Sequence, residues 1–258
     1  MIWPETATPF YFEGVDVPYP ALTDGLRRFV RSIGTPLLTG SPTYEKRDNR
    51  HLLKNSAFLL DGDGMTKAVY HKVHLVPFGE YVPLKSSLLF FMEKIVQPVG
   101  DFQPGSEYTV MKVRLPTGDD VAIGTVICYE IIFPDLVRRF VNGGATVITT
   151  ITNDAWFGRT GAPYQHFSMA VLRAVENRVP VVRAANTGIS GFIDKNGRIL
   201  DSSDIFTEAV LSRSLAPGVS KTFYTRFGDV FSWLCIGGTF LAVLPLRRSN
   251  EQTNGCRT

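Results

Sequence analysis

One stretch constrains this chain more than any other: an apolar, β-branched run that ends in a cysteine and leads into a helix-start signal. Residues 121–130 read VAIGTVICYE, and IIFPD follows. Such a run suits a buried strand, and Pro134 suits the first turn of a helix. A thiol at the carboxyl end of a strand, beside a helix N-terminus, sits where positive backbone potential favours the thiolate. That arrangement suits a nucleophile. A structural thiol is the commoner reason for such a cysteine, since free Cys is among the most buried residue types.

Around this stretch, strands and helices alternate. Residues 21–33 put Leu22, Leu26, Phe29, Val30 and Ile33 on one helical face, and residues 35–40 form a short apolar strand. Residues 56–60 and 67–72 flank Asp61-Gly-Asp-Gly64 as a hairpin. Residues 108–115 and 121–128 form a second strand pair, a helix spans about 134–141, and residues 145–151 are a continuous buried-strand pattern. Residues 163–178 predict the clearest helix, with Phe167, Ala170, Val171, Ala174 and Val175 as its stripe. A strand from Pro180 and a hairpin around Lys195-Asn-Gly follow. The natural class is an α/β sheet sandwich.

Composition narrows the function. With 258 residues, 44% of them hydrophobic, the chain can bury a sizeable core. Its 27 basic and 24 acidic residues are mixed, with no basic block among aromatics, so nucleic acid is not an expected partner. Cys128, Cys235 and Cys256 form no C-x-x-C, which argues against a zinc site or a disulfide framework. No signal peptide opens the chain. Residues 230–246, VFSWLCIGGTFLAVLPL, carry no charge and precede Arg247-Arg248. This is the lower limit for spanning a bilayer, and the arginine pair would mark the C-terminal side as cytoplasmic.

A thiol nucleophile needs a base and an oxyanion donor. Trp3-Pro4-Glu5 sets a carboxylate beside an aromatic and a rigid proline, where desolvation raises its pKa towards that of a useful base; an ordinary turn glutamate is the alternative. Lys72 ends a strand inside an apolar and aromatic context, where an ammonium can stabilise an oxyanion. His71 and His74 invite a metal reading, but residues three apart on a strand point to opposite faces. Asn153-Asp154 follows a buried strand and suits either a pocket wall or a capping turn. No G-x-S-x-G supports a serine nucleophile.

Glu5 in WPE, Lys72 before Val-His-Leu, and Cys128 in ICYE resemble the Glu–Lys–Cys triad of the nitrilase (carbon–nitrogen hydrolase) superfamily. Residues 74–83 (HLVPFGEYVP), 127–138 (ICYEIIFPDLVR) and 152–194 resemble the bacterial apolipoprotein N-acyltransferase family within it. The resemblance covers roughly residues 1–248. It implies a nitrilase-like αββα sandwich over 1–225, a C-terminal transmembrane helix over 226–248 and a cytoplasmic tail over 249–258. The catalytic domain would face the periplasm at the bacterial inner membrane.

The resemblance makes Glu5 the general base, Cys128 the nucleophile and Lys72 the oxyanion stabiliser. The N–H of Tyr129 would be the second oxyanion donor, with Glu80 and Glu130 supporting the site. Losing one such donor typically costs about 3–4 kcal/mol of transition-state stabilisation. The implied partners are a phospholipid acyl donor, an apolipoprotein acceptor and the bilayer, with no cofactor. A small-amide hydrolase and an inactive membrane-bound remnant are the alternatives. Residues 84–96, with Leu88–Met92 at the centre, are either core or a membrane-facing lid. Because that family carries a membrane bundle, a strand and a helix ahead of WPE, the chain is expected to lack its first core strand and helix and to be a fragment, a split gene product, or a product of a start site placed too late.

Overall fold

The computed structural model describes residues 1–13, 19–47, 50–81, 102–115, 118–218 and 220–254. Strands β1 (Leu37–Arg47), β2 (Arg50–Leu60) and β3 (Thr66–His71) form an antiparallel sheet in that order. The β2–β3 turn is the expected one. Asp61 Oδ1 accepts from the N–H groups of Asp63 (3.0 Å) and Met65 (2.8 Å), and Gly64 takes φ 74°. On the other edge, Ile2 bridges Leu38 in parallel and the Trp3 N–H donates to Leu38 O at 2.8 Å. This lays the chain start along β1 and brings Glu5 over Gly40 of that strand.

The second sheet runs β4 (Val110–Arg114), β5 (Asp120–Ile127), β6 (Val147–Asn153), β7 (Val181–Asn186), β8 (Gly191–Ile193) and β9 (Ile199–Ser202). The β5–β6–β7 pairs are parallel and the outer pairs antiparallel. Parallel neighbours need crossovers, supplied by α2 (Pro134–Asn142) and α3 (Ala162–Asn177). Both faces of these strands are covered, so even their polar side chains, Thr125, Thr149, Thr150, Thr152 and Arg183, are buried.

Alternation along β1 and β2 sorts the layers. Leu38, Ala57 and Leu59 join Met111, Val126, Ile127 and Ile148 of the second sheet in one core cluster. Leu37, Phe58 and Leu60 point the other way, onto Val30 of α1 (Pro20–Ile33) and Phe12. Helix, sheet, sheet, helices is the αββα order expected from the sequence.

Three sequence expectations need correcting. The α1 helix forms, but Leu22, Phe29 and Ile33 stay exposed, because only the edge with Leu26 and Val30 meets the sheet. In α3 the buried face includes His166, Arg173 and Asn177, while Val175 is exposed, so the inward face is more polar than the apolar stripe suggests. The C-terminal helix starts later and runs further than expected. A short α4 (Phe223–Phe227) ends at Gly228 with φ 69°, and α5 continues from Val230 to Asn254, past the arginine pair. Side chains of α5 are described to Val243, and among the described residues no helix is long and apolar enough to cross a membrane. Leu88–Met92 lie outside the described residues.

Candidate active site

Glu5, Lys72 and Cys128 come from three distant segments and meet at the carboxyl ends of strands. Lys72 follows β3 directly and is 1% exposed. Its Nζ lies 2.9 Å from both Glu80 oxygens and 3.8 Å from Glu5 Oε1. Burial opposes its charge, but Glu5, Cys128 and Glu80 outweigh that and raise the lysine above its ordinary pKa. The ammonium is therefore permanent at neutral pH.

Glu5 is buried, with Oε1 accepting from Asn55 Nδ2 (2.7 Å) and Oε2 from the Asn153 N–H (2.9 Å). Burial raises its pKa, while Lys72 and the Asn55 bond pull it back. Asn55 Nδ2 also donates to Glu80 Oε1 at 2.8 Å, so one amide spaces the two carboxylates around the ammonium. Glu80 is itself fixed by the Val76 N–H, 2.8 Å from Oε2. A glycine makes room for Glu5: a Cβ on Gly40 of β1 would lie 2.7 Å from the Glu5 Cα and 2.9 Å from Pro4 O.

Cys128 follows β5 directly and takes φ 52°, a left-handed backbone that non-glycine residues rarely adopt. Such strain persists only where the surroundings hold it, and it clusters at functional sites. The thiol is not poised as a thiolate, contrary to the sequence expectation. Burial, reinforced by the Glu5 charge, pushes it up to about 12 against the opposing pull of Lys72 and Thr152. A five-residue 3-10 turn, Cys128–Ile132, separates the thiol from α2, so the helix dipole expected to offset that burial is not directly at hand.

That turn is clamped from two sides. Glu130, wholly buried, accepts through Oε1 from Tyr70 OH (2.8 Å) and the N–H groups of Val73 (2.8 Å) and His74 (3.0 Å). Its Oε2 accepts from the Ile127 N–H at 2.8 Å. Glu130 thus ties the segment after Lys72 to the strand before Cys128. From α3, His166 Nε2 meets Cys128 O at 3.1 Å, and Arg173 Nη1 donates to Ile131 O and Ile132 O at 3.3 and 2.9 Å. Asp154 Oδ1 and Arg183 Nη2 approach His166 Nδ1 at 3.0 and 3.1 Å, and Asp154 Oδ2 receives Arg183 Nη2 at 2.6 Å.

Chemically, a carboxylate and an ammonium now flank a neutral thiol. The carboxylate can take the thiol proton as sulfur attacks, and the ammonium can meet the oxygen charge that develops. Tyr129, early in the turn, has an N–H without an intrahelical partner. A cavity of about 480 Å³ adjoins the segment after Lys72, lined by Val73, His74, Leu75, Tyr81, Phe102, Gln103 and Pro104.

The sequence profile of the carbon–nitrogen hydrolase family matches residues 1–222. The chain belongs to the carbon–nitrogen hydrolase family. Carbon–nitrogen hydrolases work through a cysteine. Among curated relatives, an apolipoprotein N-acyltransferase of Geobacter metallireducens is 46% identical over 97% of this chain and 46% of its own length. One from Chlorobaculum tepidum is 34% identical over 96% of this chain and 49% of its own. The chain thus spans about half the length of these relatives. Among solved structures, the amidase of Nesterenkonia sp. AN1, with acrylamide added at its active-site cysteine, has a TM-score of 0.54 and 21% identity, covering 89% of this chain and 82% of that one. At that identity the likeness is one of fold.

Within this carbon–nitrogen hydrolase, the structure brings together the residues singled out from sequence: Glu5, Lys72, Glu80, Cys128, Tyr129 and Glu130. Asn55, Asp154, His166 and Arg183 were not among them. Asn55 could have been found from the hairpin register, since its carbonyl accepts from the Lys72 N–H. Polar His166 in a helix that packs on the core, and Arg183 in an apolar strand, were the other signals. The two histidines near Lys72 go separate ways: His71 Nδ1 pairs with Ser56 Oγ at 2.8 Å, while His74 stacks on Phe133. Among the described residues no cluster of His, Cys, Asp and Glu is arranged for a metal ion.

Proposed function

We propose that this chain is the catalytic part of an apolipoprotein N-acyltransferase, moving an acyl chain from a phospholipid to the amine of a diacylglyceryl-cysteine. The observation that carries the reading is the buried Glu5–Lys72–Glu80 ion cluster beside a strained cysteine, in a chain 46% identical to a relative of that name. Cys128 Sγ attacks the ester carbonyl as Glu5 takes the thiol proton. Lys72 and the Tyr129 N–H stabilise the oxyanion. The tetrahedral intermediate breaks its C–O bond, Glu5 returns the proton to the leaving lysophospholipid oxygen, and a thioester remains. The acceptor amine then attacks the thioester as Glu5 takes its proton, the C–S bond of the tetrahedral intermediate breaks, and Glu5 returns the proton to sulfur, leaving a new amide and the free thiol.

Glu80 and Glu130 serve this site as supports, Glu80 beside the ammonium and Glu130 by tying the two loops. The cavity beside Lys72 has room for part of an acyl chain. The membrane segment expected over 226–248 begins, on this reading, with α5 at Val230, after the break at Gly228. Phe231, Trp233, Leu234, Ile236, Phe240, Leu241 and Val243 are all more than half exposed on α5, and a helix apolar all round needs an apolar medium. This reading keeps the domain over 1–225 on the periplasmic face of the inner membrane and residues 249–258 in the cytoplasm.

The test is to incorporate the chain into phosphatidylethanolamine vesicles bearing a labelled acyl group and map adducts by mass spectrometry. A hydroxylamine-labile acyl group on Cys128 is expected, discharged as an amide by a diacylglyceryl-cysteinyl peptide and missing from Cys128→Ala. Vesicles that leave Cys128 unmodified would falsify the assignment.

A further inference from the structure

We propose that His166 is a positioning residue that aims the Tyr129 N–H by holding the carbonyl of Cys128, an inference that rests on Tyr129 being an oxyanion donor. A carbonyl only accepts, so His166 Nε2, 3.1 Å from Cys128 O, carries the hydrogen of that bond. The Cys128 C=O and the Tyr129 N–H belong to one planar trans peptide. They point in opposite directions, so a grip on the oxygen fixes where the N–H aims. Cys128 needs such a grip, because its φ of 52° is not one its own side chain favours. A donor on the oxygen also polarises the amide and strengthens the N–H on its far side.

The ring is held in turn by groups with no other evident task. Asp154 Oδ1 lies 3.0 Å from Nδ1 and also accepts from the Thr152 hydroxyl at 3.0 Å. Arg183 reaches Asp154 Oδ2 through Nη2 at 2.6 Å and is anchored through Nε on Ile189 O at 3.0 Å. Asp154, His166 and Arg183 are 1%, 7% and 2% exposed. Gly188 closes over them, for a Cβ there would sit 2.1 Å from Asp154 Oδ2. Burying a charged pair is costly and often no better for stability than apolar packing. Here the cluster reaches the nucleophile's segment through the bond from His166 to the Cys128 carbonyl.

The test contrasts two reactions of Cys128. Acylation by p-nitrophenyl butyrate passes through an oxyanion, expels p-nitrophenolate and leaves a butyryl thioester. Alkylation by iodoacetamide forms S–C, breaks C–I and makes no oxyanion. In His166→Leu, acylation should fall on the order of 10- to 100-fold, while alkylation stays within about twofold of wild type. His166→Gln, whose amide N–H can reach the same oxygen, should recover most of the loss. An equal fall in both reactions, an unchanged acylation, or a His166→Gln as slow as His166→Leu overturns the proposal. If His166→Leu does not fold, Asp154→Asn replaces it: a loss confined to acylation supports the proposal, and any other pattern overturns it. A wild-type chain that is alkylated at Cys128 but takes up no butyryl group there overturns the acyl-carrying reading itself.

Discussion

A thiol pushed up to about 12 is almost wholly protonated at neutral pH, so on the proposed mechanism Cys128 would need its base at the moment of attack. A raised pKa in an acid means that the folded chain favours the neutral form. Thiolate then accumulates only as pH approaches that value. The alkylation rate of Cys128 with iodoacetamide, taken as the difference between wild type and Cys128→Ala, should climb steadily from pH 7 to pH 10. An inflection at the ordinary thiol value, about 8.5, would show that burial does not govern the site. Cys128, Glu5 and Lys72 were legible as residue types in telling contexts: a strand-end thiol, a carboxylate behind Trp-Pro, an ammonium among aromatics. The sign of the Cys128 shift was not legible, because it depends on how deeply two sheets bury the thiol and on a neighbouring carboxylate.

At the scale of elements, the site depends on how closely the chain start lies on β1. The Gly40 N–H donates to Pro4 O at 3.2 Å, and the missing Cβ lets Glu5 pass directly over the strand. Gly40→Ala should push the Glu5 segment outward and destabilise the fold by about 1–3 kcal/mol, as overpacking does. A misplacement of 1 Å at a catalytic group can cost about 100-fold in rate, so acylation of Cys128 should suffer more than the melting temperature does. Ester acylation and thermal melting on the same sample check this; activity retained with a lowered melting temperature would argue that Glu5 is not positioned through β1.

Most elements could be read from the sequence by period and turn chemistry, as with the Asp61–Gly64 hairpin and Pro134 opening α2. The faces of α1 and α3 could not, because which side of a helix meets a sheet is a tertiary fact. In α3 it brought His166 and Arg173 inward to hold the turn after Cys128.

At the scale of the whole molecule, two parts have opposite solvent requirements. The sandwich holds a core cluster between its layers, whereas α5 presents Phe231, Trp233, Leu234, Phe240 and Leu241 at 68% exposure or more. Fully burying one such side chain is worth roughly 1.5–3 kcal/mol. Burial of several of these on one helix would be enough to hold a domain at a bilayer without electrostatic help. The whole chain should float with phosphatidylethanolamine–phosphatidylglycerol vesicles in a density gradient, and a chain ending at Gly228 should stay at the bottom. High salt screens surface charge, so flotation that persists at 1 M NaCl assigns the attraction to the apolar helix. If the shortened chain floats as well, the sandwich itself carries the membrane contact; if neither floats, α5 buries its side chains against protein instead.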